Sequence, residues 1–136
     1  MTENHLFWEY FILRFVPTVF TDDSIPVGIL LRGMETVSTE TRLRFAGARF
    51  VPELHALPVV DHEADETLIR EAIIEIQGVV ERASASGQHN ELNVLLQVLL
   101  DANSGLCAFG PHACRAEGNP VLELQALFER FTHRLL

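Results

Sequence analysis

From Trp8 to Val16 the chain reads Trp-Glu-Tyr-Phe-Ile-Leu-Arg-Phe-Val, an aromatic and β-branched run that Pro17 ends. Such a run predicts a strand. Trp8, Tyr10, Ile12, Arg14 and Val16 fall on one face of it, and Glu9, Phe11, Leu13 and Phe15 on the other. Both faces are largely apolar, so the strand is expected to be central. After a loop over Thr18 to Ser24, with Asp22-Asp23 at its tip, Ile25 to Arg32 predicts a second strand. Pro26 suits its start, where a missing N–H is tolerated, and Gly28 marks a bulge or a close backbone approach. Gly33 opens the next turn. The alternation Thr41-Arg42-Leu43-Arg44-Phe45, within Thr36 to Phe45, predicts a third strand. The short connections make these three an antiparallel meander.

The period changes after Gly47 to Asp61, an irregular stretch holding Pro52 and Pro58. Leu68, Ile69, Ala72, Ile73, Ile76, Val79 and Val80 recur at helical spacing, predicting a helix over Asp65 to Arg82. Asp61 or Asp65 can cap it, and Ser84 to Gly87 stops it. Asn90 is expected to cap a second helix running to about Asn103, with Leu92, Leu95, Leu96, Leu99 and Leu100 as its apolar face and Gly105 at its end. Leu106 to Ala116 reads as one strand broken at Gly110-Pro111. Asn119 as N-cap and Pro120 at the first helical position open a last helix, which buries Leu122, Leu124, Leu127, Phe128, Phe131 and Leu135. The expected fold is α+β, a single domain over residues 1–136: an antiparallel sheet of about four strands with three helices packed against one face of it.

Composition narrows the function. The 136 residues carry 19 acids against 10 bases, a net charge of −9. That opposes nonspecific nucleic-acid binding and docking on anionic membranes, and places nucleic acid last among partners. All ten bases are Arg; with no Lys, the phosphate-loop lysine, the Schiff-base lysine and the kinase lysine are excluded. No apolar stretch reaches the ~20 residues of a membrane helix, and Met-Thr-Glu-Asn-His has no basic segment of a signal peptide. Two cysteines make no disulfide scaffold. The expectation is a cytoplasmic protein.

Candidate chemistry lies in a few clusters. Cys107, His112 and Cys114 are soft-metal ligands within eight residues, and zinc would need a fourth such as His89 or His133. On a regular strand Cys107 and Cys114 point to opposite faces unless Gly110-Pro111 resets the alternation; otherwise they are two half-buried thiols. His55, Asp61, His62, Glu63 and Asp65 can supply ligands or a base, but read more simply as an acid-enriched helix start. Asp22-Asp23, with Glu9, Glu35 and Glu40, can hold a cation or simply form turns. No nucleophile elbow and no glycine-rich phosphate loop occurs. Arg14, Arg32, Arg42 and Arg44 lie on or beside the first three strands and can line a sheet face that grips a carboxylate or phosphate, or binds a partner. Alternatively they form structural ion pairs with Glu9, Glu35 or Glu40.

Three segments carry a family resemblance: Tyr10-Phe11-Ile12-Leu13-Arg14-Phe15-Val16-Pro17, then Ile25-Pro26-Val27-Gly28-Ile29-Leu30-Leu31, then Leu122-Glu123-Leu124-Gln125-Ala126-Leu127-Phe128-Glu129-Arg130-Phe131. Together they resemble the bacterial family known as domain of unknown function 3037. Members open with Tyr, three apolar residues and Arg-Tyr, continue with Glu-Phe-x-Asn-x-Gly-Val, and close with Asp-Pro and a helix rich in Leu and Phe. This chain keeps Gly28 but has Ser24-Ile25-Pro26 where the family often has Phe-x-Asn. The resemblance implies a small bacterial cytoplasmic protein and brings no catalytic residue and no cofactor. With no nucleophile motif and an apolar surplus for one small chain, the expected role is a noncatalytic interaction or accessory protein. It would act as a homodimer or as a subunit of another bacterial protein. The alternative is a small-ligand or metal-dependent enzyme on the Arg-bearing face or at Cys107, His112 and Cys114.

Overall fold

The structure, a computed structural model, describes residues 5–16, 24–52, 63–116 and 118–132. The elements are β1 (His5–Val16), β2 (Ile25–Val37), β3 (Glu40–Phe50), α1 (Glu63–Ser86), α2 (Asn90–Asp101), β4 (Gly105–Cys114) and α3 (Pro120–Thr132). The strands form one antiparallel sheet in the order β3-β2-β1-β4. The α+β architecture and the central place of β1 agree with the sequence pattern.

The helices do not share one face. Phe11, Leu13, Leu30, Met34, Leu43 and Ala46 bury against Ile76, Val79, Val80 and Ala83 of α1 and Leu92, Leu96 and Leu99 of α2. Ile12, Val27, Ile29 and Leu31, the alternate residues of β1 and β2, bury against Leu124, Leu127 and Phe128 of α3, with Ile69 from the start of α1. A central pair of strands that is apolar on both sides must be covered on both sides, because burying apolar area is the main driving force. The double apolar pattern that reads as a surplus in the sequence is thus consumed by α3 on the second face.

Two strands outrun their expected ends. β2 continues through Gly33 to Val37, and the hairpin turns at Ser38, which takes a left-handed φ of 61°. Gly33 is not a turn residue. It sits in the ladder opposite Trp8 and Phe45, and a Cβ there would lie 2.6 Å from the Trp8 ring. The missing side chain lets Trp8 cross β2 and meet Phe45, their ring centroids 6.0 Å apart. Gly33→Val is expected to evict the indole and cost about 1–3 kcal/mol. Trp8 is the one tryptophan of the chain, so its emission should shift to the red in the folded variant. Unchanged emission and stability would contradict this packing. β3 likewise runs to Phe50, four residues into the stretch expected to be irregular. Phe50 packs across Gly28, where a Cβ would meet the ring at 2.6 Å and the Arg49 carbonyl oxygen at 2.7 Å.

α1 extends four residues past Arg82, since Ala83 is buried. Gly87 (φ 71°) closes it by donating its N–H to the Ala83 carbonyl. Asn90 is the first residue of α2 rather than its cap; His89 occupies the cap position, and its side chain caps none of the backbone N–H groups of the first turn. α3 begins as its sequence predicts: the Asn119 side-chain oxygen accepts from the Val121 N–H at 3.0 Å, with Pro120 between. No helix among the described residues is long and apolar enough to cross a membrane.

Candidate functional site

The four arginines separate. Arg14 shares a strand face with Ile12; its guanidinium donates to the Ser24 hydroxyl at 3.2 Å and lies 5.9 Å from the Phe109 ring. Arg32 stands opposite Glu9 in the β1–β2 ladder, so it projects from the other face. Its Nε and Nη2 both reach Glu9 Oε1 at 2.7 Å, and its Cζ lies 5.4 Å from the Phe11 ring. Arg42 and Arg44 stand on the edge strand β3, beside Glu40 at 3.4 Å and Glu35 at 3.2 Å. The Arg-lined sheet face expected from the sequence is therefore absent: alternation sends Arg14 and Arg32 to opposite sides, and a register shift between Gly33 and Met34 leaves Arg44 outside the ladder. The ion-pair alternative describes three of them, with the carboxylates Glu9, Glu40 and Glu35.

Arg32 also heads a polar chain that no motif announces. Its Nη1 donates to Asn93 Oδ1 at 2.5 Å, and Asn93 Nδ2 lies 2.6 Å from His89 Nδ1. A guanidinium only donates, so Asn93 must present its oxygen to Arg32 and its NH2 to His89. His89 Nδ1 must then accept, and the ring proton resides on Nε2. Packing of α2 across the sheet thus sets the tautomer of a histidine two strands away from Glu9.

His89 lines a polar cleft of about 570 Å³ at the corner between the start of β3 and the α1–α2 turn. Thr41, Arg42 and Arg44 bound it on one side, Gln88 and Asn90 on the other, and Glu40 is its one carboxylate. The turn is pinned to the strand by the Leu43 N–H, which donates to the Gly87 carbonyl at 3.0 Å. Each arginine meets its carboxylate through one nitrogen, leaving other donors of the fork unused. On α2, Glu91 is held by Arg82 of α1 at 2.9 and 3.2 Å. Hydrogen bonding and attraction from that guanidinium keep the Glu91 carboxyl below its ordinary range.

Cys107, His112 and Cys114 are not brought together. Their β1 partners are Arg14, Tyr10 and Trp8, which spaces the two thiols by about 20 Å along the strand. The irregularity at Gly110-Pro111 does reset the alternation, since Arg14 and Trp8 share a face, but separation along the strand still forbids a common metal. His112 stacks on Tyr10 instead, ring centroids 5.1 Å apart. No group of three metal-ligating side chains occurs among the described residues. Asp22, Asp23, His55, Asp61, His62 and His133, and the side chains of Glu63 and Asp65, lie outside them.

Burial pushes both thiols up, and for Cys114 the carboxylates of Glu123 and Glu9 add to the effect. A raised thiol is short of the reactive thiolate. Both cysteines should therefore label with a disulfide reagent more slowly than free cysteine at neutral pH, speed up above the ordinary thiol range, and react at once in denaturant. The neutral form is the one the fold favours, so its contribution to stability is present below the unfolded thiol's range and lost as pH rises through the folded one. Fast stoichiometric labelling of the native protein at neutral pH would contradict this placement.

On the far side of α2, Val94 and Val98 stand one turn apart, 67% and 62% exposed. Glu91, Gln97 and Asp101 surround them, all exposed. Leu122 and Val121 are similarly exposed at the start of α3.

No curated protein and no solved structure matches the chain. A family model described as "Protein of unknown function (DUF3037)" matches residues 10–132, nearly the whole chain and all four strands and three helices at least in part, and the chain belongs to that family.

Proposed function

We propose that this chain is a noncatalytic, cytoplasmic interaction protein that works as a homodimer or as a subunit of a partner protein. The observation that carries the reading is the solvent side of α2, where Val94 and Val98 form an apolar centre with an acidic rim. The net charge of −9 favours a partner surface that is apolar with a basic edge. The reactive side-chain types support it from the other direction: the thiols are buried or raised, and Arg32, Arg42 and Arg44 each face a carboxylate.

Light scattering on the purified protein tests self-association, and quantitative co-purification from the source cells tests a partner. The wild type is expected to give a dimer mass or a stoichiometric companion. Val94→Glu with Val98→Glu should abolish either one while leaving the circular dichroism unchanged. A wild-type monomer that recovers nothing beyond the double variant would end the proposal.

A further inference from the structure

We propose that the cleft between the start of β3 and the α1–α2 turn binds a small phosphorylated ligand by its phosphate group. The inference does not rest on partner docking by α2. Its basis is the convergence, on one cleft of about 570 Å³, of two exposed arginines of β3, each tethered to its carboxylate through a single nitrogen: Arg42 to Glu40 and Arg44 to Glu35. The volume falls within the range of small-molecule sites. Arg42 and Arg44 keep fork donors in reserve, and a phosphate dianion is the ligand best matched to two guanidinium planes.

His89 adds a neutral donor. The Arg32–Asn93–His89 chain places the imidazole proton on Nε2, so the ring can donate without carrying charge. The first turn of α2 beside it has no side-chain cap, which leaves backbone N–H groups at the same corner. Glu40 and Glu35 match the two guanidiniums one for one, so the corner is locally balanced on a body that is otherwise acidic, and its capacity for an anion lies in the fork donors that these single contacts leave unused. Glu40 is 3.4 Å from Arg42, a long single contact on the protein's surface. An arriving dianion replaces it as the partner of Arg42, so Glu40 acts as a competitor for the site.

That competition gives the test a sign that a structural role would not produce. The full chain, labelled with nitrogen-15, is titrated with inorganic phosphate and with phenyl phosphate at constant ionic strength, with sodium chloride as control. Saturable shifts are expected at the amides of Asn90, Glu91 and Leu92 and along Arg42 to Arg44. Arg42→Gln with Arg44→Gln should weaken binding roughly tenfold or more, as loss of two charge-assisted contacts requires. Glu40→Gln should tighten it severalfold. Both variants alter exposed side chains, and their unshifted spectra elsewhere report that the fold is kept. The proposal is overturned if the shifts do not saturate, if chloride reproduces them, if the double arginine variant binds as the wild type does, or if Glu40→Gln weakens binding. Phenyl phosphate should bind at least as well as inorganic phosphate; binding more than tenfold weaker would mean that the cleft rejects an ester and would overturn the ligand class.

Discussion

Arg32→Met should destabilise the protein by about 3 kcal/mol, the lower end of the cost of breaking a buried ion pair. The side chains of Arg32 and Glu9 are each only 14% exposed, so removing the guanidinium strands the Glu9 carboxylate under α2 with little water to take its place. Asn93 loses its donor at the same time. The cost belongs mainly to the orphaned charge and not to the pair itself. Adding Glu9→Leu to Arg32→Met should therefore recover most of the loss, because exchanging a whole buried pair for apolar residues is often neutral. Urea unfolding of the two single variants and the double variant measures this directly. A loss below about 1 kcal/mol for Arg32→Met would put the pair in the class of exposed salt bridges and refute the account of the polar chain.

Phe11→Ala is expected to cost about 3–5 kcal/mol, a large part of the stability of a domain this size. Phe11 is 1% exposed and stands opposite Leu30 in the ladder. On its other side β4 is irregular: Gly110 approaches so closely that a Cβ there would lie 3.2 Å from the Phe11 ring and 2.9 Å from the Tyr10 carbonyl oxygen. The ring therefore fills space that neither neighbouring strand can supply, and its removal leaves a cavity beneath Arg32. Phe11→Leu retains most of the volume and should cost less than about 1.5 kcal/mol. Equal losses for the Ala and Leu variants would contradict the packing. Arg32 and Phe11 touch, so their effects should not add in the double variant.

Much of the fold was legible because it rests on local rules. Strand β1, the start of β2, the helical period of α1 and the Asn119-Pro120 start of α3 follow from alternation, spacing and capping, which act within a few residues. The failures share one cause. Gly33 reads as a turn and Gly47 as the start of an irregular stretch, because local statistics treat glycine as punctuation. In the sheet Gly33 makes room for Trp8, a residue 25 positions earlier in the chain. The placement of α3 on the second face is implicit in the two apolar faces of β1, which local pattern alone does not distinguish from a surface left for a partner.

The candidate site was less legible. Arg42 and Arg44 were visible as strand arginines beside acids, and the acids named for them are the ones they meet. Nothing in the sequence joins these arginines to His89, because that corner exists only where the α1–α2 turn docks on β3 through Leu43 and Gly87. Asn93 carries no motif and looks like an ordinary polar residue on a helix.

The sequence by itself determined the element types, the antiparallel meander, the acidic balance and the absence of lysine chemistry, since periodicity and composition are properties of the chain alone. Tertiary structure decided which faces are covered, which arginines are consumed and which share a cleft, and that Cys107 and Cys114 cannot meet. Those outcomes depend on register. A shift of one residue in a strand exchanges its faces, and the register here shifts at Leu13/Arg14, Tyr10/Ile12 and Gly33/Met34, between strands paired across the sheet.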